Sequence, residues 1–135
     1  MSYACETRMT NSITSYRDLV AWQKAMDLAE LVFRMTATFP ATEHFGLSAQ
    51  MRKAAVSIPS NISEGHRHRR PGYIHHVVIA LGSHAELETQ ALLGHRLGLI
   101  PDGDMNRFTA VATEVGSLTH GLRRSLEALP RSPNP

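Results

Sequence analysis

At 135 residues the chain is long enough for a single domain with a buried core of its own. It has 14 lysines and arginines against 12 acidic residues, and the resulting net charge of +2 is too small to indicate nucleic-acid binding by itself. The one cysteine, Cys5, excludes an intrachain disulfide and a thiolate metal cluster. No apolar run reaches the roughly 18 residues that a membrane span requires, and no secretory signal pattern opens the chain, so we expect a cytoplasmic protein without membrane contact.

The first helix is predicted over residues 16–38. Residues 1–15 lack helical periodicity and predict a flexible lead-in. Apolar residues then recur at steps of three and four, and Ser15 with Asp18 has the spacing of a capping box. Pro40 disfavours helical backbone angles in the residue before it, so the helix is expected to end there.

The second predicted helix, residues 47–64, contains a proline within its apolar pattern. Because Pro59 removes a backbone hydrogen bond and pushes on a preceding carbonyl, we predict a kink there. Gly65 is predicted to stop the helix in the left-handed conformation. The densest positive run of the chain, His66-Arg-His-Arg-Arg70, follows at once and is expected in a turn.

A third helix is predicted over residues 73–97 and a fourth over residues 104–129, with Gly98 stopping the third. Small residues cluster at 80–85 in the third helix. They indicate either a close helix crossing inside the domain or part of a subunit interface. Residues 130–135, with three prolines, are predicted to be a tail.

No segment of the chain alternates polar and apolar residues as a strand does. Long helices joined by short connections pack as antiparallel neighbours. The sequence therefore predicts an all-α domain over residues 16–129, an up-down-up-down four-helix bundle. Trp22, Phe33 and Phe45 are expected in its core.

Metal and catalytic motifs are missing from the sequence. The chain has eight histidines, but neither Glu-x-x-His nor His-Glu-x-x-His occurs. His84 and Glu88 lie one turn apart, a spacing typical of a surface pair, and Glu64 beside His66 is typical of a structural ion pair. Serine-hydrolase and nucleotide-binding motifs are also absent. We predict no metal site, no cofactor and no enzyme activity.

The basic turn is the best candidate for a binding site. Arginine presents a rigid fork of donors that suits phosphates, and Arg67, Arg69 and Arg70 fall within four positions. Arg52 and Lys53 lie about three turns earlier and would extend this surface if the kink brought their face round. These five residues are the predicted nucleic-acid-binding set. The alternative is a solvated loop that is charged only to keep the protein soluble.

Four stretches resemble the four-helix-bundle proteins found as open reading frames within intervening sequences of bacterial 23S rRNA genes. They are Tyr16-Arg-Asp-Leu-Val-Ala-Trp-Gln-Lys-Ala25, Phe39-Pro40 followed by Glu43-His-Phe-Gly-Leu47, Gln50-Met-Arg-Lys-Ala-Ala-Val-Ser-Ile-Pro-Ser-Asn-Ile-Ser-Glu-Gly65, and Gly82-Ser-His-Ala-Glu-Leu-Glu88. The resemblance implies an antiparallel bundle that assembles into a homopentamer. It also implies a relation to the accessory variability determinant of diversity-generating retroelements, a basic pentameric ring that associates with reverse transcriptase and nucleic acid.

The most recognisable motif of that family is matched by Pro59, Asn61, Glu64 and Gly65. Asn61 and Glu64 are expected to satisfy backbone groups freed by the kink or to pair with a neighbouring helix, a structural role. Where the family usually carries less charged, glycine-rich residues after Glu-Gly, this chain has its basic run.

Three functions remain open from the sequence. The leading hypothesis is a non-enzymatic, ring-forming helical adaptor whose positive surface binds RNA or DNA, with a possible protein partner beside it. The second is a protein-interaction scaffold that never meets nucleic acid. The third is a metal-dependent bundle enzyme.

Overall fold

The computed structural model describes residues 13–43 and 45–130, so Cys5 and most of the predicted lead-in and tail lie outside it. Its α-helices are α1 (Val20–Thr36), α2 (Leu47–His66), α3 (Arg70–Arg96) and α4 (Asp102–Ala128). Two 3-10 turns precede α1 and α2, at Tyr16–Asp18 and Ala41–Glu43. No strand occurs within the described ranges, which confirms the all-α prediction. None of these helices is both long and apolar enough to cross a membrane.

Each helix packs against two others, so that the four form a closed ring in the order α1, α2, α3, α4 and back to α1. Residues at helical spacing on the inward faces make up one core. Its largest fully buried apolar side chains are Leu28, Val32, Met51, Ile58, Ile62, Val77, Leu87, Phe108 and Val115. This packing confirms the predicted four-helix bundle.

The predicted capping box forms, but it begins a 3-10 turn instead of α1. The Ser15 hydroxyl accepts from the Arg17 N–H at 3.2 Å, and the Asp18 carboxylate accepts from the Ser15 N–H at 3.2 Å. Leu19 is then extended, with φ −76° and ψ 124°, and α1 starts at Val20. The helix therefore begins four residues later than predicted, because the capped turn leads into it through an extended residue.

Contacts between α2 and α3 match the predicted antiparallel order of these two helices. Gly65, near the end of α2, lies against Tyr73 near the start of α3, while Leu47 at the start of α2 lies against Gly94 near the end of α3. The up-down-up-down order of the whole bundle stays a prediction. The kink also stays a prediction; Pro59 is buried within α2.

α3 ends at the glycine that the sequence indicated. Gly98 has a φ of +79°, its N–H donates to the His95 carbonyl at 3.1 Å, and the Leu99 N–H donates to the Gly94 carbonyl at 2.9 Å. These paired bonds are those of a Schellman motif, which satisfies the last carbonyls of a helix. The chain then turns and buries Ile100 in the core.

The predicted role of Gly65 as a left-handed stop is wrong. α2 continues to His66, and Gly98 alone among the described glycines has a positive φ. A Cβ at Gly65 would lie 2.8 Å from the His76 Cβ and 3.1 Å from the Tyr73 Cδ1. Glycine is required there because α2 and α3 approach each other closely.

Two aromatic residues predicted in the core lie at the surface. Phe33 is 41% exposed and Phe45 is 91% exposed, whereas Trp22 packs partly buried against the core. The guanidinium of Arg52 lies over the Phe33 ring, 4.8 Å from its centroid. A cation above an aromatic face lets that ring remain half-exposed at the edge of the bundle.

Candidate functional site

The corner between α2 and α3 is tighter than the sequence suggested. α2 runs to His66 and α3 starts at Arg70, so only three residues connect the helices. Arg69 is the N-cap of α3, with φ −66° and ψ 167°. Pro71 is accommodated in the first turn of α3, where its missing N–H removes no helical hydrogen bond. Arg70 is therefore helical, although it was predicted in the turn.

The three arginines of the corner do not serve one purpose. Arg67 and Arg69 are exposed, and their side chains have no hydrogen bond or ion pair within residues 13–43 and 45–130. Arg70 is partly buried and donates to the carbonyls of Leu129 and Pro130, the latter at 2.8 Å. Its guanidinium connects the corner to the end of α4. Of the three arginines, only Arg67 and Arg69 are therefore available to a ligand.

Arg52 and Lys53 do not join the corner. Arg52 donates from Nε to the Thr36 hydroxyl at 2.8 Å, in addition to covering Phe33. At a rise of 1.5 Å per residue, it lies about 22 Å along the axis of α2 from Arg67. Lys53 is exposed beside it. The predicted binding set is therefore split between two distant parts of α2, and Arg52 is engaged within the bundle.

One further exposed arginine, not predicted from the sequence, lies on α4, the helix whose end Arg70 contacts. Arg124 is exposed in the last turns of α4, the helix end that Arg70 contacts, and its side chain has no ion pair with another described residue. Its neighbour Arg123 is paired with Glu127 at 3.0 Å. The adjacent Arg123 and Arg124 are visible as a basic pair in the sequence, but only the fold relates them to the α2–α3 corner. We name Arg67, Arg69 and Arg124 the basic corner.

Asn61, from the family motif, connects α2 to α3. Its amide nitrogen donates to the Ser57 carbonyl at 2.9 Å and lies 3.0 Å from the Ser57 hydroxyl, while its Oδ1 lies 3.0 Å from Nδ1 of His76. The carbonyl that loses a donor to Pro59 is that of Ala55, four residues before the proline. Asn61 therefore pairs with the neighbouring helix and binds a different carbonyl from the one the proline frees.

This hydrogen-bond chain determines which nitrogen of neutral His76 carries the proton. The Ser57 carbonyl can only accept, so the Asn61 amide nitrogen must face it, and the Asn61 oxygen must face His76. Since that oxygen also only accepts, Nδ1 of His76 carries the hydrogen. Nε2 keeps its lone pair and lies 3.8 Å from the Glu64 carboxylate.

His68 completes a group that the sequence analysis did not recognise. Its ring stacks on that of His76, with centroids 5.1 Å apart and planes 21° from parallel. One potential ligand atom from each of Glu64, His68 and His76 lies within 4.8 Å of the other two. The prediction of no metal site relied on motifs within single helices, whereas this group combines a helix end, a turn and the following helix.

Tyr73 packs under the same corner. Its ring meets that of His66 edge-on, with centroids 5.7 Å apart, and it lies against Gly65. Burial raises the pKa of the Tyr73 hydroxyl above its ordinary value, because the charged phenolate would lose hydration there.

The pair of His84 and Glu88 is not the surface pair that the spacing suggested. His84 is buried between α3 and α4, and its Nε2 donates to the Ala112 carbonyl at 2.7 Å. A Cβ at Gly116 would lie 2.8 Å from the imidazole, so this glycine makes room for the ring. Glu88 remains 3.6 Å from Nδ1. His84 therefore joins two helices.

The family model described as 23S rRNA-intervening sequence protein matches residues 17–121. The chain belongs to this family. The match confirms the resemblance drawn from the four sequence stretches. In this intervening-sequence protein the matched region includes the motif from Pro59 to Gly65 and the arginines of the α2–α3 turn, whereas Arg124 lies just beyond it.

A solved structure has the same fold as this intervening-sequence protein. It is a crystal structure of a protein with unknown function from the S23 ribosomal protein family of Bacteroides thetaiotaomicron, with a TM-score of 0.71 and 23% sequence identity. The similarity covers 78% of this chain and 96% of that chain. No protein of curated function matches the sequence.

Proposed function

We propose that this intervening-sequence protein is a non-enzymatic cytoplasmic adaptor that assembles into a homopentameric ring and binds RNA or DNA through the basic corner. The observation that supports this proposal is the exposure of Arg67 and Arg69 without a partner among the described residues. Arg124 adds a third exposed guanidinium on the helix whose end contacts the corner.

Phosphate is the ligand group that best suits these side chains. A guanidinium is always charged and offers paired donors that match phosphate oxygens. An arginine already paired with a carboxylate would have to exchange that contact, as Arg123 would with Glu127. Arg67 and Arg69 have no such contact to give up, so their charge is available to a polyanion.

One protomer offers too few phosphate contacts for useful binding, so assembly of several copies is part of the proposal. Three phosphate contacts give a salt slope of about −2.7 on duplex DNA, which is weak binding for one protomer at physiological salt. Five copies on one DNA duplex would bring the slope to about −13.5. Linked copies also raise the effective concentration for each additional contact. A ring therefore turns a small charged patch into a useful binding surface.

The outer surface of α3 supports self-association. Val78, Gly82, Ala85 and Leu92 recur at steps of three, four and seven, and all are exposed. Nothing lies within 4 Å of a Cβ placed at Gly82, so this glycine makes no close contact within the bundle, whereas Ala80 is buried and Ser83 contacts Ser57 of α2 at 2.7 Å. The small residues Gly82 and Ala85 at the centre of this apolar stripe allow a helix of another copy to approach closely. Within residues 80–85, this supports a subunit interface for Gly82 and Ala85, while Ala80 and Ser83 pack inside the bundle.

The test is a salt titration of RNA and DNA binding by fluorescence anisotropy, starting at about 50 mM salt. Combined Arg67→Glu, Arg69→Glu and Arg124→Glu substitutions should weaken binding and flatten the salt slope. The matched control is Arg96→Glu, an exposed arginine near the other end of α3 that should leave the slope unchanged. Absence of binding by the unaltered protein, or an unchanged slope in the triple variant, would refute the nucleic-acid proposal.

The ring is tested separately by light scattering, which should give five times the chain mass. Leu92→Glu places a charge on the apolar stripe and should reduce that mass, whereas Met26→Glu, which charges an exposed apolar position on α1, should not. A monomeric mass for the unaltered protein would refute the ring and leave the α3 stripe for a different partner.

That result would favour the second candidate, a protein-interaction scaffold. The same stripe supports it, because Val78 and Leu92 are 40% and 56% exposed. A scaffold would retain its protein partner after nuclease treatment and lose it on Leu92→Glu substitution.

A further inference from the structure

We propose that Glu64, His68 and His76 form a binding site for a divalent transition-metal ion of the zinc class, with one coordination position open to water or a ligand. The site lies at the α2–α3 corner but uses none of the arginines. It therefore stands or falls independently of nucleic-acid binding.

The donor set has the composition of a zinc site that is not closed by protein. Two imidazoles and one carboxylate suit Zn²⁺, and three protein ligands leave a fourth tetrahedral position free. Zinc ligands at about 2.1 Å from the metal lie about 3.4 Å apart in a tetrahedral site. Glu64 Oε2 and His76 Nε2 are 3.8 Å apart, and the donor atoms of all three residues lie within 4.8 Å of one another.

The remaining adjustment falls on the side chains that can make it. Glu64 and His68 are exposed, so rotation of either side chain can bring its donor atom inward. His76 is partly buried and hydrogen-bonded, and it provides the fixed point of the site. A metal ion would thus require movement of two surface side chains and none of the helix backbone.

His76 is already oriented as metal-binding histidines are. Such residues usually donate the hydrogen of one ring nitrogen to an oxygen acceptor, which fixes the ring and leaves the other nitrogen for the metal. Asn61 fills this role, because its Oδ1 accepts from Nδ1 of His76 while Ser57 holds its amide nitrogen. The free lone pair of Nε2 is on the side of Glu64.

Two glycines make room for the two imidazoles. A Cβ at Gly72 would lie 2.9 Å from the Cβ of His68, and a Cβ at Gly65 would lie 2.8 Å from the Cβ of His76. Any larger residue would displace the histidine backbone or side chain from this arrangement. The glycines thus allow the stacked arrangement, in which the Asn61 hydrogen bond fixes the His76 ring and the exposed His68 ring lies against it.

The competing explanation is an ordinary ion pair between protonated His76 and Glu64, with His68 stacked beside it. The two explanations differ over His68, which contributes a donor atom to a metal site but no atom to that ion pair. They also differ over Asn61. A metal site needs the His76 ring held in one orientation by this residue, whereas an ion pair does not.

The experiment measures binding of Zn²⁺ to the full chain by calorimetry, with Co²⁺ absorption as a report of coordination by nitrogen and oxygen. We expect one high-affinity ion per chain. Glu64→Gln, His68→Asn and His76→Asn should each weaken Zn²⁺ binding by at least about tenfold. Exposed His120 on α4 provides the matched control, and its Asn variant should bind Zn²⁺ as the unaltered protein does.

Because His76→Asn could disturb the α2–α3 packing, two further variants keep the test decisive. His68→Asn changes only an exposed turn residue. Asn61→Leu should weaken Zn²⁺ binding by about 10- to 100-fold, whereas Asn61→Asp, which keeps the acceptor for His76 but loses the donor to the Ser57 carbonyl, should weaken it less. Equal Zn²⁺ affinity for His68→Asn and the unaltered protein, or equal losses for His68→Asn and His120→Asn, would overturn the proposal.

Discussion

The two ends of α3 are both joined to a neighbouring helix by a short turn with a glycine-lined contact, but they are packed with different chemistry. At the α3–α4 turn, the buried side chain of Ile100 packs against Gly94, and Leu47 closes the contact. At the α2–α3 corner, the side chains against Gly65 and Gly72 are imidazoles and a phenol ring. Aliphatic groups can only close a turn, whereas imidazoles retain donor atoms. The difference indicates that the α3–α4 turn contributes to stability, whereas the α2–α3 corner holds groups that are able to bind a ligand.

The largest effect that separates the two corners should come from Ile100→Ala. Ile100 is 2% exposed, and truncating a buried isoleucine typically costs about 2–5 kcal/mol of unfolding free energy. His68→Ala removes an exposed ring and should cost less than about 0.5 kcal/mol. Urea unfolding followed by circular dichroism measures both. Similar costs for the two variants would contradict the division between a stabilising and a binding corner.

A smaller difference is expected between the two glycines. A Cβ at Gly65 would meet the His76 Cβ at 2.8 Å, an atom held by the backbone, whereas a Cβ at Gly94 would meet the terminal Cδ1 of the Ile100 side chain at 2.9 Å. Overpacking costs about 1–3 kcal/mol, and alanine recovers about 1 kcal/mol of helix propensity. Gly65→Ala should therefore destabilise the protein by up to about 2 kcal/mol net, and Gly94→Ala by less.

The same urea titrations test this order. The Gly94→Ala variant is the matched control, because it makes the same chemical change within the same bundle. If Gly65→Ala were the more stable of the two, the close approach of α2 and α3 would not be what requires glycine at the corner.

The smallest effect concerns alkaline pH. The folded protein has a raised Tyr73 pKa, whereas the unfolded chain releases that proton at the ordinary value of about 10. Folding then binds the proton more tightly, so this contribution is intact below pH 10 and decreases as the pH rises through the folded pKa. Tyr73→Phe should remove part of the loss of stability that occurs as the pH rises above about 10. An identical loss in the variant and the unaltered protein would contradict the assigned burial.

The elements of the fold could be predicted because each depends on residues close together in sequence. Apolar spacing identifies a buried helix face regardless of what packs on it, and Gly98 stops α3 through bonds to residues three to five positions away. The start of α1 was missed for the opposite reason. The capping pattern of Ser15 and Asp18 does not state whether the capped turn continues as an α-helix, and an extended Leu19 intervenes.

The candidate site depended on distances between helices, which spacing cannot supply. Gly65 has the sequence position of a helix stop. Only the proximity of His76 shows that glycine is needed there to let α2 and α3 approach each other. Arg52 counts as a cation in the sequence, but Phe33 and Thr36 occupy its guanidinium. His68 and His76 face Glu64 only because the chain reverses direction between them.

The polar contacts between α2 and α3 have a consequence for how these helices align. The hydroxyls of Ser57 and Ser83 lie 2.7 Å apart, and Asn61 joins His76 one turn further along. Apolar ridges tolerate a shift by one helical turn, about 5.4 Å, because neighbouring grooves are similar. Hydrogen bonds do not, since such a slide would leave these partly buried groups unsatisfied. The Ser57–Ser83 and Asn61–His76 contacts therefore fix the register of α2 against α3. An α2–α3 hairpin transplanted into another protein would need these four residues to keep that register.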